Sequence, residues 1–431
     1  MPKELKRELS WLDAASIVIG IVIGAGIFVT PQDLARVLPS SNAMILAWLV
    51  SGSLVFCGAL AFAELSSMLP ATGGLYIYLR EAFGPAIAFS SGWVHLFALF
   101  SGATAYIAAG FARYLNAIIP FDPAYNTAVT IGLILALGLL GALSTKAAVA
   151  LQNYTNIAKI AALLGLITLS FFAPTPAPSP QVDVPIGAFA AALVTCFFCY
   201  EGWSYAGFVA GEMRNPARDL PRTFAISFIL VVVLYLLVNF AYLRVLSISE
   251  IQSSGQIGAD VAGRVLGKAG ATAVAAVILL AIIGSLNGLS MAASRMYYAQ
   301  TKDGVFLPGL DQLHSRFNTP IYAIAAHALV SSLMVLFPSS LGAILQAAIS
   351  AAWIYYAIAV AGLIRLRSKQ PGLPRPYRMW GYPVTPCLFL AGTLFFLGSL
   401  TMQNPQPVFW VLGVMAISFP IHAFIGKSKR A

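Results

Sequence analysis

Gly20, Gly24 and Gly26 fall within an N-terminal segment that is otherwise apolar enough to lie in the hydrocarbon core of a membrane. Residues 17–31 read IVIGIVIGAGIFVTP. Glycine costs a helix about 1 kcal/mol relative to alanine, and Gly24-Ala25-Gly26 leaves the backbone almost without side-chain cover. Such a segment can interrupt its own hydrogen-bond ladder and turn free N–H groups toward an anionic ligand. The alternative is a close-packed glycine face between two helices, and these glycines alone do not decide between the two.

Two ionisable side chains stand inside apolar segments further along the chain. Lys159 lies about twelve residues into the segment 147–172, so its ammonium is roughly 18 Å deep at a rise of about 1.5 Å per residue, too deep to reach water by snorkelling. Glu201 lies in the middle of the segment 188–210 and is followed by Gly202. A charge at such a depth is costly and by default marks a substrate or ion path.

Each of these side chains has more than one interpretation. Lys159 is either a permanent link between helices or a group that takes part in coupling. Glu201 could accept the ammonium of a substrate, carry a proton, pair with a polar neighbour, or face a water-filled vestibule without a specific role. The residues by themselves leave these alternatives open.

The composition excludes a soluble protein. Of 431 residues, 59% are hydrophobic and 9% are charged, and the apolar runs reach the ~20 residues that a membrane-spanning helix needs. The N-terminus lacks the apolar core and cleavage site of a signal peptide. The net charge of +10 therefore indicates topology and not nucleic-acid binding. All four cysteines lie in apolar runs, and Cys196 and Cys199 have no second ligand pair, so we expect no disulfide, no metal and no cofactor.

The length criterion predicts about twelve membrane-spanning segments. They lie near residues 14–37, 43–67, 86–119, 126–143, 147–172, 188–210, 223–246, 270–297, 320–337, 341–364, 384–402 and 407–425. The runs 86–119 and 270–297 are long, which predicts helices that are tilted or extend beyond the bilayer. Most of the 25 Lys and Arg residues fall on one side when the N-terminus is placed in the cytoplasm, and the Pro-rich loop 173–185 contains none. This charge bias predicts that both termini are cytoplasmic.

Interrupted spans at matching places divide the chain into two halves. The first span carries the glycine break and the sixth carries Glu201-Gly202, and each begins a group of five spans. Because five is an odd number, the second group must cross the membrane in the opposite sense to the first. Broken helices at matching positions of inverted halves are the best sequence indication of the binding site of a secondary transporter. We therefore expect one transmembrane domain with inverted repeats at 14–172 and 186–366 and two additional helices within 384–425.

Several short motifs occur in an order that is highly specific. They are IGAGIF with Pro31 in the first span, FCYEGW, GEMRNP and LPR in and after the sixth, YLLVNFAY in the seventh, GSLNG, SR, DG and LP in and after the eighth, and RPYR after the tenth. With these motifs the chain resembles the amino acid–polyamine–organocation superfamily, and within it the bacterial relatives of the L-type amino-acid transporters. The resemblance covers nearly the whole chain. It implies an all-α polytopic membrane fold with a five-plus-five inverted repeat, in which helices 1 and 6 are discontinuous.

The resemblance also implies how a substrate is held. Its carboxylate is expected on the free N–H groups of Ala25, Gly26 and Ile27, at the start of a half-helix where the dipole favours an anion. Its ammonium is expected on backbone carbonyls released near both breaks. Phe198 matches the aromatic residue that closes the site from outside in relatives, and Glu201 departs from relatives that have glycine there. The expected substrate-binding residues are Ile21, Ile23, Gly24, Ala25, Gly26, Ile27, Phe197, Phe198, Glu201, Gly202 and Trp203.

Lys159 has a position at which sodium-coupled relatives hold a metal ion. The resemblance therefore implies that its ammonium links the first span to the eighth without sodium. Tyr235 stands in the middle of the seventh span, and its phenol needs a partner when it is buried, so we expect it to couple to Lys159. The expected gating and coupling residues are Lys159, Phe198, Tyr235 and Asn287.

These expectations combine into a sodium-independent secondary transporter of amino acids in a bacterial plasma membrane, with exchange of one amino acid for another as the expected mode. Neutral L-amino acids are favoured because Lys159 and Glu201 offset each other in formal charge. Proton-coupled uptake is the alternative within this class. A channel or receptor is disfavoured because no charge ring or filter repeat is visible, and an enzyme because no catalytic set is. Eukaryotic L-type members bind a heavy-chain subunit through an external cysteine, but the loop 120–126 has none, so no such subunit is expected.

Overall fold

The computed structural model describes residues 5–176, 183–337 and 341–428, and this part of the chain is built of helices. In chain order they are α1 (Trp11–Val22), α2 (Thr30–Val37), α3 (Ser41–Met68), α4 (Leu75–Phe83), α5 (Pro85–Val94), α6 (Phe100–Ile118), α7 (Asn126–Leu143), α8 (Thr145–Ser170), α9 (Ile186–Cys199), α10 (Pro216–Val245), α11 (Ile248–Ser253), α12 (Ile257–Lys302), α13 (Ile321–Val335), α14 (Leu341–Lys369), α15 (Val384–Gln403) and α16 (Pro405–Ser428). The predicted all-α fold is confirmed.

The predicted spans coincide with helical structure along the whole described chain. By length and composition, eight of the described helical segments can cross a membrane, and the shorter apolar helices α1, α9 and α13 fall within three further predicted spans. The remaining predicted span is α8, which is less apolar because it contains Gln152, Asn156 and Lys159. These three polar side chains are buried in the protein interior. The chain is therefore a polytopic membrane protein.

Both long predicted spans contain a local departure from α-helical geometry. The run 86–119 is α5 and α6 joined by a π-helical turn at His95–Leu99. α12 changes direction at Gly267, whose φ of 63° is one that glycine adopts at little cost. The run 270–297 is thus the longer part of a bent helix whose first part lies before Gly267.

α1 lies at the centre of the fold, where it packs against α8, α10 and α12. Its residues from Ala14 to Val22 are all buried, which explains why this helix is apolar on every side. Of the two additional C-terminal helices, α15 packs on α3 and α14, and α16 packs on α5 and α14. Large apolar side chains on the outer helices, such as Leu139, Ile157 and Leu394, are exposed, as contact with lipid requires.

Two of the predictions depend on residues that the structure does not describe. The cytoplasmic placement of the termini rests in part on Lys3, Lys429 and Arg430, and the external loop 173–185 includes 177–182; these lie outside the described residues. The division into inverted repeats at 14–172 and 186–366 stays a prediction.

Candidate functional site

The first break lies between α1 and α2. α1 ends at Val22, Ile23 leaves the helical region with a ψ of 77°, and a single 3₁₀ turn follows at Gly26–Phe28. The Gly24 N–H donates to the Val22 carbonyl at 2.8 Å. Among the described residues, no acceptor faces the N–H groups of Ala25, Gly26 and Ile27. These donors are therefore free to bind a ligand.

The second break follows α9, which ends at Cys199. Gly202 has a φ of 109°, which is left-handed backbone that favours glycine, and a 3₁₀ helix runs from Tyr205 to Glu212. A Cβ at Gly202 would lie 3.1 Å from the Cβ of Ile21 and 3.3 Å from a methyl group of Val22. The second break thus presses directly on the end of α1.

The two breaks meet on one side of α10. A Cβ at Gly26 would lie 3.0 Å from the Sγ of Cys199. The Tyr235 hydroxyl donates to the Val22 carbonyl at 2.7 Å and lies 3.3 Å from the Cys199 carbonyl. One phenol therefore joins the last carbonyl of α1 to the last carbonyl of α9.

Lys159 reaches the first break from the opposite side. Its buried Nζ donates to the carbonyls of Gly20 and Ile23, each at 2.9 Å. A Cβ at Gly284 of α12 would lie 3.1 Å from this Nζ, and the neighbouring Ser285 hydroxyl donates to the Gly20 carbonyl at 3.0 Å. The ammonium thus lies where α1, α8 and α12 meet.

Asn287 links α12 to α8 one turn away from this junction. Its amide donates to the carbonyl of Ala148 at 2.9 Å and to Oε1 of Gln152 at 2.8 Å. Asn287 is therefore linked to α1 through Gln152, whose side chain donates to the Ser16 carbonyl at 3.5 Å.

A cavity of about 550 Å³ adjoins both breaks. Residues from α1, the first break, α2, the π-helical turn, α6, α9, the second break, the segment before α12, α12 and α14 line it: Ile21, Val22, Gly24, Ala25, Gly26, Val29, Thr30, Asp33, Leu99, Ala103, Tyr106, Ile107, Gly110, Arg113, Tyr114, Thr195, Phe198, Cys199, Glu201, Tyr205, Gly255, Gln256, Ile282, Ser285, Leu289, Leu345, Ala348, Ile349 and Ala352. Of the expected substrate-binding residues, Ile21, Gly24, Ala25, Gly26, Phe198 and Glu201 line this cavity.

The other expected substrate-binding residues lie behind its wall. The rings of Phe197 and Trp203 pack against Trp353 and Phe62, with centroids 5.1 Å and 4.8 Å apart, so these two side chains do not line the cavity in this structure. The carbonyl of Ile23 accepts a hydrogen bond from Lys159 and is not left for a substrate ammonium alone. Neither Gly202 nor Ile27 lines the cavity, and the side chain of Ile27 is buried.

Glu201 is half-buried in the cavity wall. Its Oε1 accepts a hydrogen bond from the Tyr356 hydroxyl at 2.5 Å, and that oxygen of Tyr356 accepts one from Ser204 at 3.0 Å. The other carboxylate oxygen, Oε2, has no partner among the described residues. The Tyr205 hydroxyl and the Gly202 N–H also lie close to the carboxylate. Of the interpretations that the sequence left open, pairing with a polar neighbour thus holds for one oxygen only.

The cavity reaches one face of the protein and ends before the other. Asp33 and Arg113 are exposed at its mouth. Both lie near the end of an odd-numbered predicted span, and such spans end outside when the N-terminus is cytoplasmic. Beyond its inner end, the buried guanidinium of Arg295 donates to Oε1 of Glu212 at 2.8 Å. The N-terminal segment contacts the same place, where the Leu9 N–H donates to the Glu212 carbonyl at 2.8 Å. The described state is therefore open on the predicted outer side and closed on the predicted cytoplasmic side.

Sequence reasoning missed several residues of this site. Ser285 donates to a carbonyl at the end of α1 and Tyr356 donates to Glu201, and Arg113 lines the mouth of the cavity. A polar residue in GSLNG and a tyrosine pair in the tenth span were visible signals, but each is also common in ordinary helix packing. Within the described residues, no group of His, Cys, Asp and Glu could hold a metal ion.

Comparison with known proteins gives consistent results. The profile of the amino acid permease family matches residues 9–420. The serine/threonine exchanger SteT of Bacillus subtilis (strain 168) is 30% identical over 432 residues, which is 99% of this chain and 98% of SteT. The cystine/glutamate transporter of Homo sapiens is 32% identical over 93% of this chain and 82% of its own length. The b(0,+)-type amino acid transporter 1 of Mus musculus is 29% identical over 93% and 84%.

Proposed function

The chain belongs to the amino acid permease family, and from its cavity we propose that it is a sodium-independent exchanger of neutral L-amino acids that works by alternating access. Family membership makes it a transporter of amino acids in a membrane and not an enzyme. The mode of coupling, the substrate side chain and the orientation are the parts that we propose.

The observation that carries the proposal is the set of free N–H groups of Ala25, Gly26 and Ile27 beside a closed-ended cavity. Free N–H groups at the start of a helical segment favour an anion. They would bind the α-carboxylate, which every α-amino acid has, so this part of the site would recognise amino acids whatever their side chain. The cavity between two interrupted helices is also the place where inverted-repeat transporters bind substrate.

Lys159 supports independence from sodium. Its ammonium donates to two carbonyls of the broken α1, which are oxygen ligands of the kind that a bound Na⁺ would need. A cation of the protein that already holds these oxygens leaves no task for a sodium ion at this position.

Exchange is the mode that SteT is named for, and we propose the same mode here. The neutral preference rests on the mainly apolar wall of the cavity, including Ile107, Ile282 and Ala352. Proton-coupled uptake is the second candidate, because Glu201 lines the cavity with one oxygen unpaired. Such a carboxylate can hold a proton in one half of a cycle and release it in the other.

For location, we propose a bacterial plasma membrane with both termini in the cytoplasm. The excess of Lys and Arg in the predicted cytoplasmic loops supports this orientation. We also propose that the chain works without a disulfide-linked heavy-chain subunit, because the loop 120–126 has no cysteine.

The experiment is uptake of labelled amino acids by liposomes that contain the purified protein. Serine, alanine and leucine are each tested with and without the same unlabelled amino acid trapped inside, in sodium and in choline buffer. We expect saturable uptake that trapped amino acid accelerates several-fold and that choline does not change. Uptake that needs sodium would contradict the assignment of Lys159, uptake driven by a proton gradient without trapped amino acid would favour symport, and linear uptake without saturation would indicate a channel.

A further inference from the structure

Glu201 is the deepest charged residue in the cavity wall, and only one of its two carboxylate oxygens accepts a hydrogen bond of good geometry among the described residues. Oε1 of Glu201 accepts from Tyr356, and the neutral Tyr205 hydroxyl and Gly202 N–H lie close to the carboxylate, but Oε2 has no hydrogen bond of good geometry among the described residues. A carboxylate that is shielded from water and only partly hydrogen-bonded is costly unless a cation or a strong donor completes it. The terminal torsion of a glutamate side chain is soft, so either oxygen can turn toward the cavity.

The cations of the protein that could complete Glu201 are placed elsewhere. Lys159 is absent from the cavity wall, because its Nζ donates to the carbonyls of Gly20 and Ile23. The formal offset between Lys159 and Glu201, on which the neutral preference partly rested, is therefore not an offset within the cavity.

Arg113 lines the cavity but lies near its mouth. The Phe100 ring packs on Tyr205, which is close to Glu201, with centroids 5.4 Å apart. Arg113 follows thirteen positions later in the same helix, α6, which puts it roughly 20 Å away along the helix axis. At that distance a solvent-exposed charge is largely screened from the bottom of the cavity.

Glu201 is also close to the free N–H groups of the first break. Gly26 lies against the Sγ of Cys199, and Glu201 follows Cys199 by two residues, which limits their Cα separation to about 7 Å. A molecule with its carboxylate on the first break could therefore bring a group at the end of a long side chain to Glu201.

We propose that Glu201 binds the cationic side chain of a basic amino acid, so that the cavity accepts lysine- or arginine-like substrates as well as neutral ones. This inference rests on the proposed function, because it assumes that the carboxylate of the substrate lies on the first break. The cation would form a charge-assisted hydrogen bond with the unpaired oxygen, and such bonds are stronger than those of a neutral hydroxyl or amide.

The test compares arginine and leucine as competitors of labelled exchange in proteoliposomes, for the wild type and for Glu201→Gln. Glutamine keeps the size of the side chain and an oxygen that can accept from Tyr356, but it removes the charge. For the wild type, we expect arginine to inhibit. In the variant, the ratio of the arginine to the leucine concentration that halves exchange should rise roughly tenfold or more, as expected when one partner of a buried charge pair is lost. Asp122→Asn is the matched control, because Asp122 is an exposed carboxylate outside the cavity, and it should leave this ratio unchanged.

Three results would overturn the inference. One is a wild type that exchanges leucine but is not inhibited by arginine, which would leave the proposed function intact. Another is an equal loss of affinity for both amino acids in Glu201→Gln, which would place the α-ammonium on Glu201. The third applies if Glu201→Gln fails to fold: a Tyr356→Phe protein, which keeps the Glu201 carboxylate, that exchanges leucine but is no longer inhibited by arginine. Absence of any exchange by the wild type would instead contradict the proposed function.

Discussion

At Gly26 the absence of a side chain leaves the N–H groups of Ala25, Gly26 and Ile27 uncovered. The available space is small, because a Cβ at Gly26 would already lie 3.0 Å from the Sγ of Cys199. A β-branched residue would meet Cys199 and would also cover the site where the carboxylate is proposed to bind.

Gly26→Val should therefore abolish binding while leaving insertion into the membrane normal. We expect the affinity for a substrate amino acid to fall at least about tenfold, since each 1.4 kcal/mol of lost interaction is tenfold. Equilibrium binding to the purified protein measures this directly. Gly132→Val is the matched control, because a Cβ at Gly132 of α7 meets nothing within 4 Å. Unchanged affinity in Gly26→Val would show that the carboxylate binds elsewhere.

The neighbouring residues Phe197 and Phe198 show which part of the site could be predicted. The sequence indicates that both lie at a break, because the apolar run is interrupted at Glu201-Gly202. Successive side chains of a helix point about 100° apart, so only one of the two faces the cavity. Which one depends on the rotation of α9 against α3 and α15. That rotation is set by packing across the whole molecule, and the motif alone does not contain it.

At the scale of elements, the broken α1 is held by side chains from its three neighbouring helices. α8 contributes Lys159, α10 contributes Tyr235 and α12 contributes Ser285, and together they engage the carbonyls of Gly20, Ile21, Val22 and Ile23. The carbonyls at the end of a helix have no partner within it, and inside a membrane such groups need partners from elsewhere. The sequence predicted the break and the position of Lys159. It did not predict the indirect link to Tyr235, because the two side chains contact different carbonyls of one short segment and not each other.

Lys159 and Tyr235 should therefore be energetically coupled through α1. We expect the combined effect of Lys159→Ala and Tyr235→Phe on the free energy from kcat/KM of exchange to differ from the sum of the single effects by at least about 0.5 kcal/mol. The measurement is a double-mutant cycle in proteoliposomes. A control cycle pairs Tyr235→Phe with Thr104→Val, because Thr104 bonds to His327 between α6 and α13, away from α1. Additive effects in the first cycle would mean that each side chain acts alone.

At the scale of the whole molecule, the proposed alternating access requires a state that is open to one side of the membrane only, and the structure has this form. The cavity extends from the two breaks to Asp33 and Arg113, whereas Glu212 and Arg295 form a buried ion pair beyond its inner end. Breaking such a pair without moving both partners together is costly, which keeps the inner side closed until the surrounding helices rearrange. The charge bias of the sequence predicted which face of the protein is cytoplasmic and which is external. It did not predict to which face the cavity opens, because the inward-open and outward-open states use the same helices.

The central claim is that a substrate cavity between the two breaks opens to the outer face, and thiol labelling tests it most directly. Ala103→Cys, in a chain whose four natural cysteines are replaced, puts a thiol on the α6 wall of the cavity. Ala206→Cys, at a fully buried position beyond the second break, is the control. We predict that a membrane-impermeant thiol reagent labels Cys at position 103 in right-side-out vesicles, that substrate amino acid protects it, and that position 206 is not labelled. Labelling of position 103 only in inside-out vesicles, or labelling that no substrate reduces, would contradict the claim.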